Sequence, residues 1–303
     1  MGNEMTGLQQ RIQAGKQLLL AELSPPQGSD PAPIRALARR LAGKVHAVGV
    51  TDNRDRVSMS ALAAATLVAA EGVEPILHVI TRDRNRIALV SDALGAQALG
   101  IRNLLCTSGS HQTLGEFRAA RNVYDVDPVQ LLQAYSGGAN GSVPGAKALA
   151  AAGPLCLGAV ANPYADPLEL QVMRLGKKQI AGARFFITPP IFDVERFQQW
   201  WKEVVRRGLH ETVAIVAGIL PLGSDEKARE LSGQRPSPRI PQAILDRLGA
   251  ASVAAQHDVG VQIALETISR LKAIAGLRGF QVCGDGHAEA AVEVIEKSAL
   301  GTN

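Results

Sequence analysis

Cysteine is scarce in this chain of 303 residues. Its three cysteines, Cys106, Cys156 and Cys283, lie far apart and never form a Cys-x-x-Cys pair. This spacing argues against a disulfide framework and against a zinc or iron–sulfur site built from the chain's own side chains. We therefore expect no resident metal centre.

Aromatic side chains are also few, at 4% of residues, and the formal net charge is only +4. Basic and acidic residues are interspersed, as in "TRDRNR" and "SDEKARE", so the basic stripe of a nucleic-acid-binding surface is missing. No apolar run approaches the roughly 20 residues of a membrane span, and no signal peptide is recognisable. These features predict a cytoplasmic protein that binds neither nucleic acid nor membranes.

Short apolar runs alternate with longer amphipathic segments along the whole chain. The runs that predict strands cover 17–24, 46–51, 75–80, 102–107, 155–161, 184–188, 213–217 and 279–283. The segments that predict helices cover 31–42, 58–71, 85–99, 127–136, 167–181, 194–207, 257–275 and 287–297. Strands separated by helix-length crossovers are parallel, and about eight such units favour a TIM-type (β/α)8 barrel. We expect one α/β domain spanning 1–303.

Three stretches interrupt this rhythm. We expect 107–127 to be a long excursion after the fourth strand, and the glycine-rich stretch 136–145 to be a surface connection. The stretch 232–241 is predicted to be a second irregular loop before a short helix.

The segment "LLLAELSPP" (18–26) places one carboxylate, Glu22, in an apolar run that two prolines end. Side chains alternate along a strand, so Glu22 shares a face with Leu18 and Leu20. A carboxylate is costly under a packed helix layer, which favours a position facing the barrel lumen. The prolines then place Glu22 at the carboxyl end of the strand, where barrel enzymes carry their chemistry.

Loss of solvation disfavours a charged carboxylate, and this suits a general acid at neutral pH. The sequence leaves an alternative open, in which Glu22 is a structural carboxylate paired with a lysine or arginine at the barrel mouth.

Polar residues follow the other predicted strands as well. His78 lies within the third strand, where a lone histidine is commonly a core residue rather than a ligand. The turn after the fourth strand contains a glycine and hydroxyls, so its backbone N–H groups could hold a phosphate or an isoalloxazine edge, or simply form a βα turn. The full set from these strand ends is Thr51, Asp52, His78, Thr107, Gly109, Ser110, Asn162 and Thr188.

The order of several short motifs resembles that of the methylenetetrahydrofolate reductase family. These motifs, which together cover roughly 16–297, are "AELSPP", "VTDN", "HVITRDRN", "SDALGAQALGIRNLL", "VYDVD", "ANP", "KKQIAGARFFITPPIFD" and "GILPL". The resemblance implies a barrel that contains a flavin, FMN or FAD, and that reduces 5,10-methylenetetrahydrofolate to 5-methyltetrahydrofolate.

The resemblance also implies roles for individual residues. Glu22 matches the catalytic acid, which would protonate N10 of the folate, and reduced flavin N5 would then donate hydride to the methylene carbon. Lys178 matches a lysine that holds the phosphate-bearing arm of the flavin. The other implied flavin contacts are Thr51, Asp52, His78, Thr107, Gly109, Ser110 and Asn162.

Five positions depart from the family pattern, one of which is Asn162, where the family has a tyrosine-like flavin contact. Ser110 stands where the family has an aspartate near the flavin, and Pro189 stands where it has a glutamine that contacts the pterin. Lys227 and Leu231 fall at later positions that contact the pterin or a nicotinamide. The residues expected to contact the flavin therefore match the family pattern better than those expected to contact the electron donor or the pterin. The electron donor is accordingly expected to be either NAD(P)H or a separate iron–sulfur or ferredoxin-type partner, within an oligomer or a hetero-complex.

Two competing interpretations remain. The chain could be a non-catalytic subunit that binds flavin or folate for electron transfer or as a scaffold. A sugar-phosphate or amidohydrolase-type barrel is disfavoured, because the sequence has neither histidine clusters with metal spacing nor a catalytic lysine on a strand.

Overall fold

Eight parallel strands close into a barrel in the computed structural model, which describes residues 5–138, 154–233, 239–284, 288–298 and 300. The strands are β1 (Leu18–Leu23), β2 (Ala47–Val50), β3 (Pro75–Ile80), β4 (Asn103–Thr107), β5 (Cys156–Val160), β6 (Phe185–Pro190), β7 (Ala214–Ile219) and β8 (Gly279–Cys283). Each strand pairs with the next, and β8 pairs with β1, with Leu20 opposite Gln281. The predicted (β/α)8 barrel is confirmed.

Helices surround this barrel. They are α1 (Gly7–Gln13), α2 (Ala32–Leu41), α3 (Ala61–Ala70), α4 (Arg86–Ala98), α5 (Pro128–Gly138), α6 (Leu168–Ile180), α7 (Val194–Arg206), α8 (Leu209–Thr212), α9 (Asp225–Gly233), α10 (Gln242–Gly249), α11 (Gln256–Lys272) and α12 (Ala288–Lys297). The sequence analysis missed α1, α8 and α9, since these helices stand outside the regular strand–helix alternation.

Two predicted loops need correction at their ends. Helix α5 continues to Gly138, so the start of the predicted connection 136–145 is helical, while 139–145 lie outside the described residues. Helix α9 likewise includes the first two residues of the predicted loop 232–241, of which 234–238 lie outside the described residues. The excursion 107–127 contains one short 3-10 turn, Gln112–Leu114.

The alternation of side chains along β1 separates two apolar cores. Leu18 and Leu20 belong to a cluster inside the barrel, whereas Leu19, Ala21 and Leu23 pack against the helices outside. The inner cluster is completed by residues from six other strands and from α1: Leu8, Ala47, Ile76, Leu105, Cys156, Phe185, Ile187, Ala214 and Val216. Apolar side chains thus fill much of the lumen, and polar ones occupy its carboxyl end.

Candidate active site

A cavity of about 440 Å³ opens at the carboxyl ends of the strands. This mouth cavity is lined from seven of the eight strands or the turns that follow them, including Glu22, Thr51, Asp52, His78, Thr107, Gly109, Ser110, Asn162, Pro189 and Gln281. Its volume falls within the range of small-molecule sites. The structure therefore brings most of the residues predicted from separate strand ends to one place.

Glu22 lies on the lumen face of β1, where its side chain is only 5% exposed. Gln281 Nε2 donates a hydrogen bond of 3.0 Å to Glu22 Oε2. The guanidinium of Arg54 lies 3.3 Å from Glu22 Oε1. Both contacts hold the carboxyl group in its position in the cavity. Glu22 thus faces the lumen at the carboxyl end of β1, as predicted. It is also paired with an arginine, as in the alternative that the sequence left open.

His78 faces the same cavity from β3 and is buried. Burial lowers the pKa of its imidazole to about 4; the nearby Glu22 carboxylate opposes this shift and Arg54 adds to it. The ring is therefore neutral at pH 7. Its Nε2 has no hydrogen-bond partner among the described residues. A Cβ atom added at Gly49 would lie 2.8 Å from that nitrogen, so the glycine makes room for the ring.

Asp52 is buried beside the cavity and is already engaged within the protein. Its Oδ2 accepts a hydrogen bond of 3.2 Å from the Ile80 backbone N–H and forms an ion pair with Arg84. Burial raises the pKa of Asp52, and the Arg84 charge partly offsets that effect. These contacts tie the end of β2 to β3 and the turn that follows it.

The turn after β4 adopts a conformation that needs glycine. Gly109 has φ of +75°, and a Cβ atom there would lie 3.3 Å from the Cβ of Ile80. The next carbonyl, that of Ser110, accepts a hydrogen bond of 2.9 Å from Arg82 Nη1. This turn forms one side of the cavity mouth.

Arg82 joins three of the loops around the mouth, a role that sequence reasoning missed. Besides Ser110, its guanidinium donates to the carbonyls of Asn53 at 2.6 Å and Arg54 at 3.3 Å. Its side chain is buried and also pairs with Asp83. The signal in the sequence was the "TRDRN" motif, whose first arginine had no assigned task.

Two further predicted contacts are held by local hydrogen bonds. Thr51 Oγ1 donates to Ser24 Oγ at 3.3 Å, and Asn162 Oδ1 accepts from the Tyr164 backbone N–H at 2.9 Å. Thr107 is the last residue of β4 and also lines the cavity.

Lys178 lies on α6 and outside the cavity lining. Its Nζ donates a hydrogen bond of 2.7 Å to the Val160 carbonyl, at the end of β5. Burial, and next the charge of Arg174, lower the pKa of Lys178 to about 8. The lysine is thus anchored beside the mouth, and its role toward a phosphate remains a prediction.

Of the three predicted substrate contacts, one lines the cavity and two do not. Pro189, at the end of β6, lines the cavity. Lys227 is exposed on α9, and Leu231 packs against a separate apolar cluster that includes Phe192 and Leu222. The described structure does not bring Lys227 or Leu231 into the lining of the cavity.

The cavity combines apolar walls with buried polar atoms that have no hydrogen-bond partner. Ile80, Leu105, Val160 and Ile187 supply the walls. The polar atoms, within the described part of the chain, are Glu22 Oε1, His78 Nε2 and Gln281 Oε1. Buried polar atoms are normally paired, so these point to a ligand that carries both donors and acceptors. A planar heteroaromatic ring system such as an isoalloxazine or a pterin fits this combination.

Two features outside this cavity bear on other functions. One group with metal-ligand spacing occurs among the described residues, His257, Asp258 and Glu293 on the outer helices α11 and α12. There, Glu293 is already bonded to His257 and to Lys297. No helix of the described chain has both the length and the apolar character needed to cross a bilayer.

The fold and the cavity together define a (β/α)8 barrel whose polar cavity opens at the carboxyl ends of its strands. Residues 7–299 match the methylenetetrahydrofolate reductase family, and the chain belongs to that family. The predicted family is therefore confirmed.

Individual relatives are more distant. The probable methylenetetrahydrofolate reductase (NADPH) of Caenorhabditis elegans is 26% identical over 197 residues, which are 65% of this chain and 28% of that relative. The chain thus matches less than a third of the relative's length.

Solved structures confirm the fold. An uncharacterised protein from Clostridium thermocellum, described as binding two copies of 5-methyl-5,6,7,8-tetrahydrofolic acid, aligns with a TM-score of 0.66 at 13% identity, covering 95% of this chain and 97% of its own. Tryptophan synthase from M. tuberculosis aligns with a TM-score of 0.51 at 12% identity, covering 98% of each chain.

Proposed function

We propose that this protein reduces 5,10-methylenetetrahydrofolate to 5-methyltetrahydrofolate, with Glu22 as the general acid and a flavin as the redox cofactor. The observation that carries the proposal is the position of Glu22, a buried carboxylate at the carboxyl end of a barrel whose mouth holds a ligand-sized cavity. Family membership supports the reaction class. The methyltetrahydrofolate bound by the Clostridium thermocellum neighbour supports the substrate class.

The reaction needs one proton and one hydride. The proton goes to N10 of the folate, the bond between N10 and the methylene carbon breaks, and the carbon becomes an electrophilic iminium. A hydride then forms the new C–H bond and completes the methyl group. Reduced flavin, FMN or FAD, supplies hydride chemistry of this kind when it is bound. The protein's own task is to deliver the proton at the right atom and to exclude competing water.

Several residues that line or adjoin the cavity would hold the cofactor. The neutral ring of His78 and the hydroxyls of Thr51 and Thr107 face the cavity. Gly109 and Ser110 would let the backbone of their turn approach a planar ring closely. Asp52 and Asn162 would hold this lining in place through their hydrogen bonds. Lys178, beside the mouth, would balance the charge of the phosphate-bearing arm.

Arg54 imposes a step before catalysis. In the ligand-free protein, the Arg54 guanidinium lies 3.3 Å from the Glu22 oxygen that must deliver the proton. The Arg54 side chain is 43% exposed, so it can leave Glu22 without breaking a packed core. We infer that arrival of the anionic folate draws Arg54 away and allows Glu22 to hold its proton.

The electron donor is proposed on the departures from the family pattern. Ser110 and Pro189 change the cavity lining, and Leu231 is committed to a separate apolar cluster. These positions favour a separate iron–sulfur or ferredoxin-type partner in a hetero-complex over NAD(P)H alone. Rapid mixing of the protein with NADH and with NADPH tests this point, since fast bleaching of the flavin by either nucleotide would contradict it.

A non-catalytic role, as an electron-transfer or scaffold subunit of a cytoplasmic complex, is the second candidate. The ion pair between Arg54 and Glu22 favours it, because a permanently paired carboxylate cannot act as an acid. The first and second candidates differ in whether the isolated chain turns over folate.

The test uses the purified full chain. Its absorption spectrum should contain flavin bands, and chemically reduced methyl viologen should support the conversion of methylenetetrahydrofolate to methyltetrahydrofolate. A flavin spectrum without turnover would favour the non-catalytic subunit. A colourless protein that cannot be loaded with FMN or FAD would refute the first candidate, and if it also failed to bind folate it would refute the second.

A further inference from the structure

The Gln281 side chain is the least exposed polar group of the mouth cavity, at 1%. It lies on β8, between β1 and β7 in the barrel. Its neighbours Phe280 and Val282 belong to the outer apolar core, so alternation points Gln281 into the lumen. Neither the sequence motifs nor the proposed chemistry has assigned it a task.

Burying an amide in the lumen is costly unless its polar atoms are bonded. Gln281 Nε2 is satisfied by Glu22 Oε2, at 3.0 Å. The two residues are 259 positions apart in sequence, and the pairing of β8 with β1 brings them together. The contact is therefore a product of barrel closure and lies directly on the proposed acid.

This hydrogen bond distinguishes the two oxygens of Glu22. Oε2 is engaged by the amide, whereas Oε1 makes no hydrogen bond among the described residues and has the Arg54 guanidinium 3.3 Å away. Once Arg54 has moved away, a proton on the carboxyl group is favoured at Oε1, because protonation at Oε2 would meet the amide N–H. The same bond limits rotation of the carboxyl group.

We propose that Gln281 is a positioning residue that fixes the Glu22 carboxyl group so that Oε1 presents the proton to the folate. This inference rests on the proposed function of Glu22. It predicts two separable effects of Gln281: orientation of the acid, which affects the rate, and stabilisation of the ionised carboxylate, which affects the pH dependence.

The variant Gln281→Met tests this role, since methionine is of similar length but has no amide donor. We expect kcat to fall at least about tenfold with KM changed less than about twofold, because misorientation affects the transition state. We also expect the alkaline limb of the pH–rate profile to move to higher pH. Infrared difference spectra, with Glu22→Gln as the reference, detect the protonation of Glu22 without turnover. In Gln281→Met they should show that Glu22 stays protonated up to a higher pH than in the wild type.

Asn103 supplies a matched control. It is a second lumen-facing amide with 1% exposure, but it lies at the start of β4, where it donates to Glu74 and to the Pro75 carbonyl. Asn103→Leu should lower stability as any lost buried amide does, while leaving the pH profile unchanged. An equal shift of the pH profile in Asn103→Leu would overturn the positioning role.

A second substitution covers the case in which Gln281→Met does not fold. Gln281→Glu keeps the size, but two facing carboxyl groups must share a proton, so the alkaline limb should again move up. Suppose that neither the alkaline limb nor the infrared bands move in the Gln281 variants, while Glu22→Gln abolishes turnover. The positioning role then fails and the proposed function stands. If Glu22→Gln leaves turnover intact, the proposed function itself fails.

Discussion

At the residue scale, the site depends on how single charges are held at the barrel mouth. The two oxygens of Glu22 face different neighbours, an amide on one side and an arginine on the other. His78 stands nearby as a neutral ring. Substrate binding would have to change this balance of contacts around Glu22.

Replacing Arg54 tests this balance. Arg54→Met removes the cation that must leave before Glu22 can hold a proton, so kcat/KM for folate reduction at neutral pH should rise by about two- to fivefold, the worth of a partly exposed ion pair. Steady-state kinetics with reduced viologen measure it. Arg56→Met is the control, because Arg56 lies on the same loop and its ion pair in the structure is with Asp55, 3.8 Å away. A fall in kcat/KM specific to Arg54→Met would contradict the inference.

His78 should make stability depend on pH. Its pKa of about 4 in the folded protein lies below the value of 6.5 for an unburied histidine, so the unfolded chain binds the proton more readily. This contribution is constant above about pH 6.5 and is lost as the pH falls toward 4. Between pH 7.5 and 5, wild type should lose about 2 kcal/mol more than His78→Gln in urea unfolding. Equal losses in the two proteins would show that His78 titrates normally.

At the scale of elements, the loops after β2, β3 and β4 act as one unit because Arg82 bonds to all of them. Three of its bonds are to loop carbonyls that a neutral side chain would leave unpaired. One buried guanidinium thus links the three loops, in addition to backbone bonds such as that from Glu116 N–H to the Asp55 carbonyl.

Arg82→Met should therefore lower the free energy of unfolding by about 2–4 kcal/mol, since hydrogen bonds to charged groups are lost in a buried setting. Hydrogen exchange should become faster in the loops that contain Asn53 and Ser110. Arg86→Met is the matched control, because Arg86 pairs with Asp125 at an exposed site and should cost less than about 1 kcal/mol. A similar loss of unfolding free energy in both variants would show that Arg82 contributes no more to stability than an exposed arginine.

At the scale of the whole molecule, the sequence predicted the barrel because each strand leaves a local pattern. Leu18, Leu20 and Glu22 share a face in any strand, and the two prolines end it, so the lumen position of Glu22 followed directly. The converging strand ends predicted most of the cavity lining as well.

The remaining contacts of the site could not be predicted from local sequence patterns. The bond between Gln281 and Glu22 exists only after β8 meets β1, and the three carbonyls that Arg82 reaches come from the two loops after β2 and β4. Leu231 illustrates the converse case: a family position suggested a substrate contact, but the way α9 packs places this residue in an apolar cluster.

The most direct measurement of the central claim is the reoxidation of the chemically reduced, flavin-loaded protein by methylenetetrahydrofolate, followed by stopped-flow absorbance in wild type and in Glu22→Gln. We expect the variant to reoxidise at least about a hundredfold more slowly, the usual worth of a general acid, while its reduction by dithionite is unchanged. Reoxidation of Glu22→Gln at the wild-type rate would contradict the account.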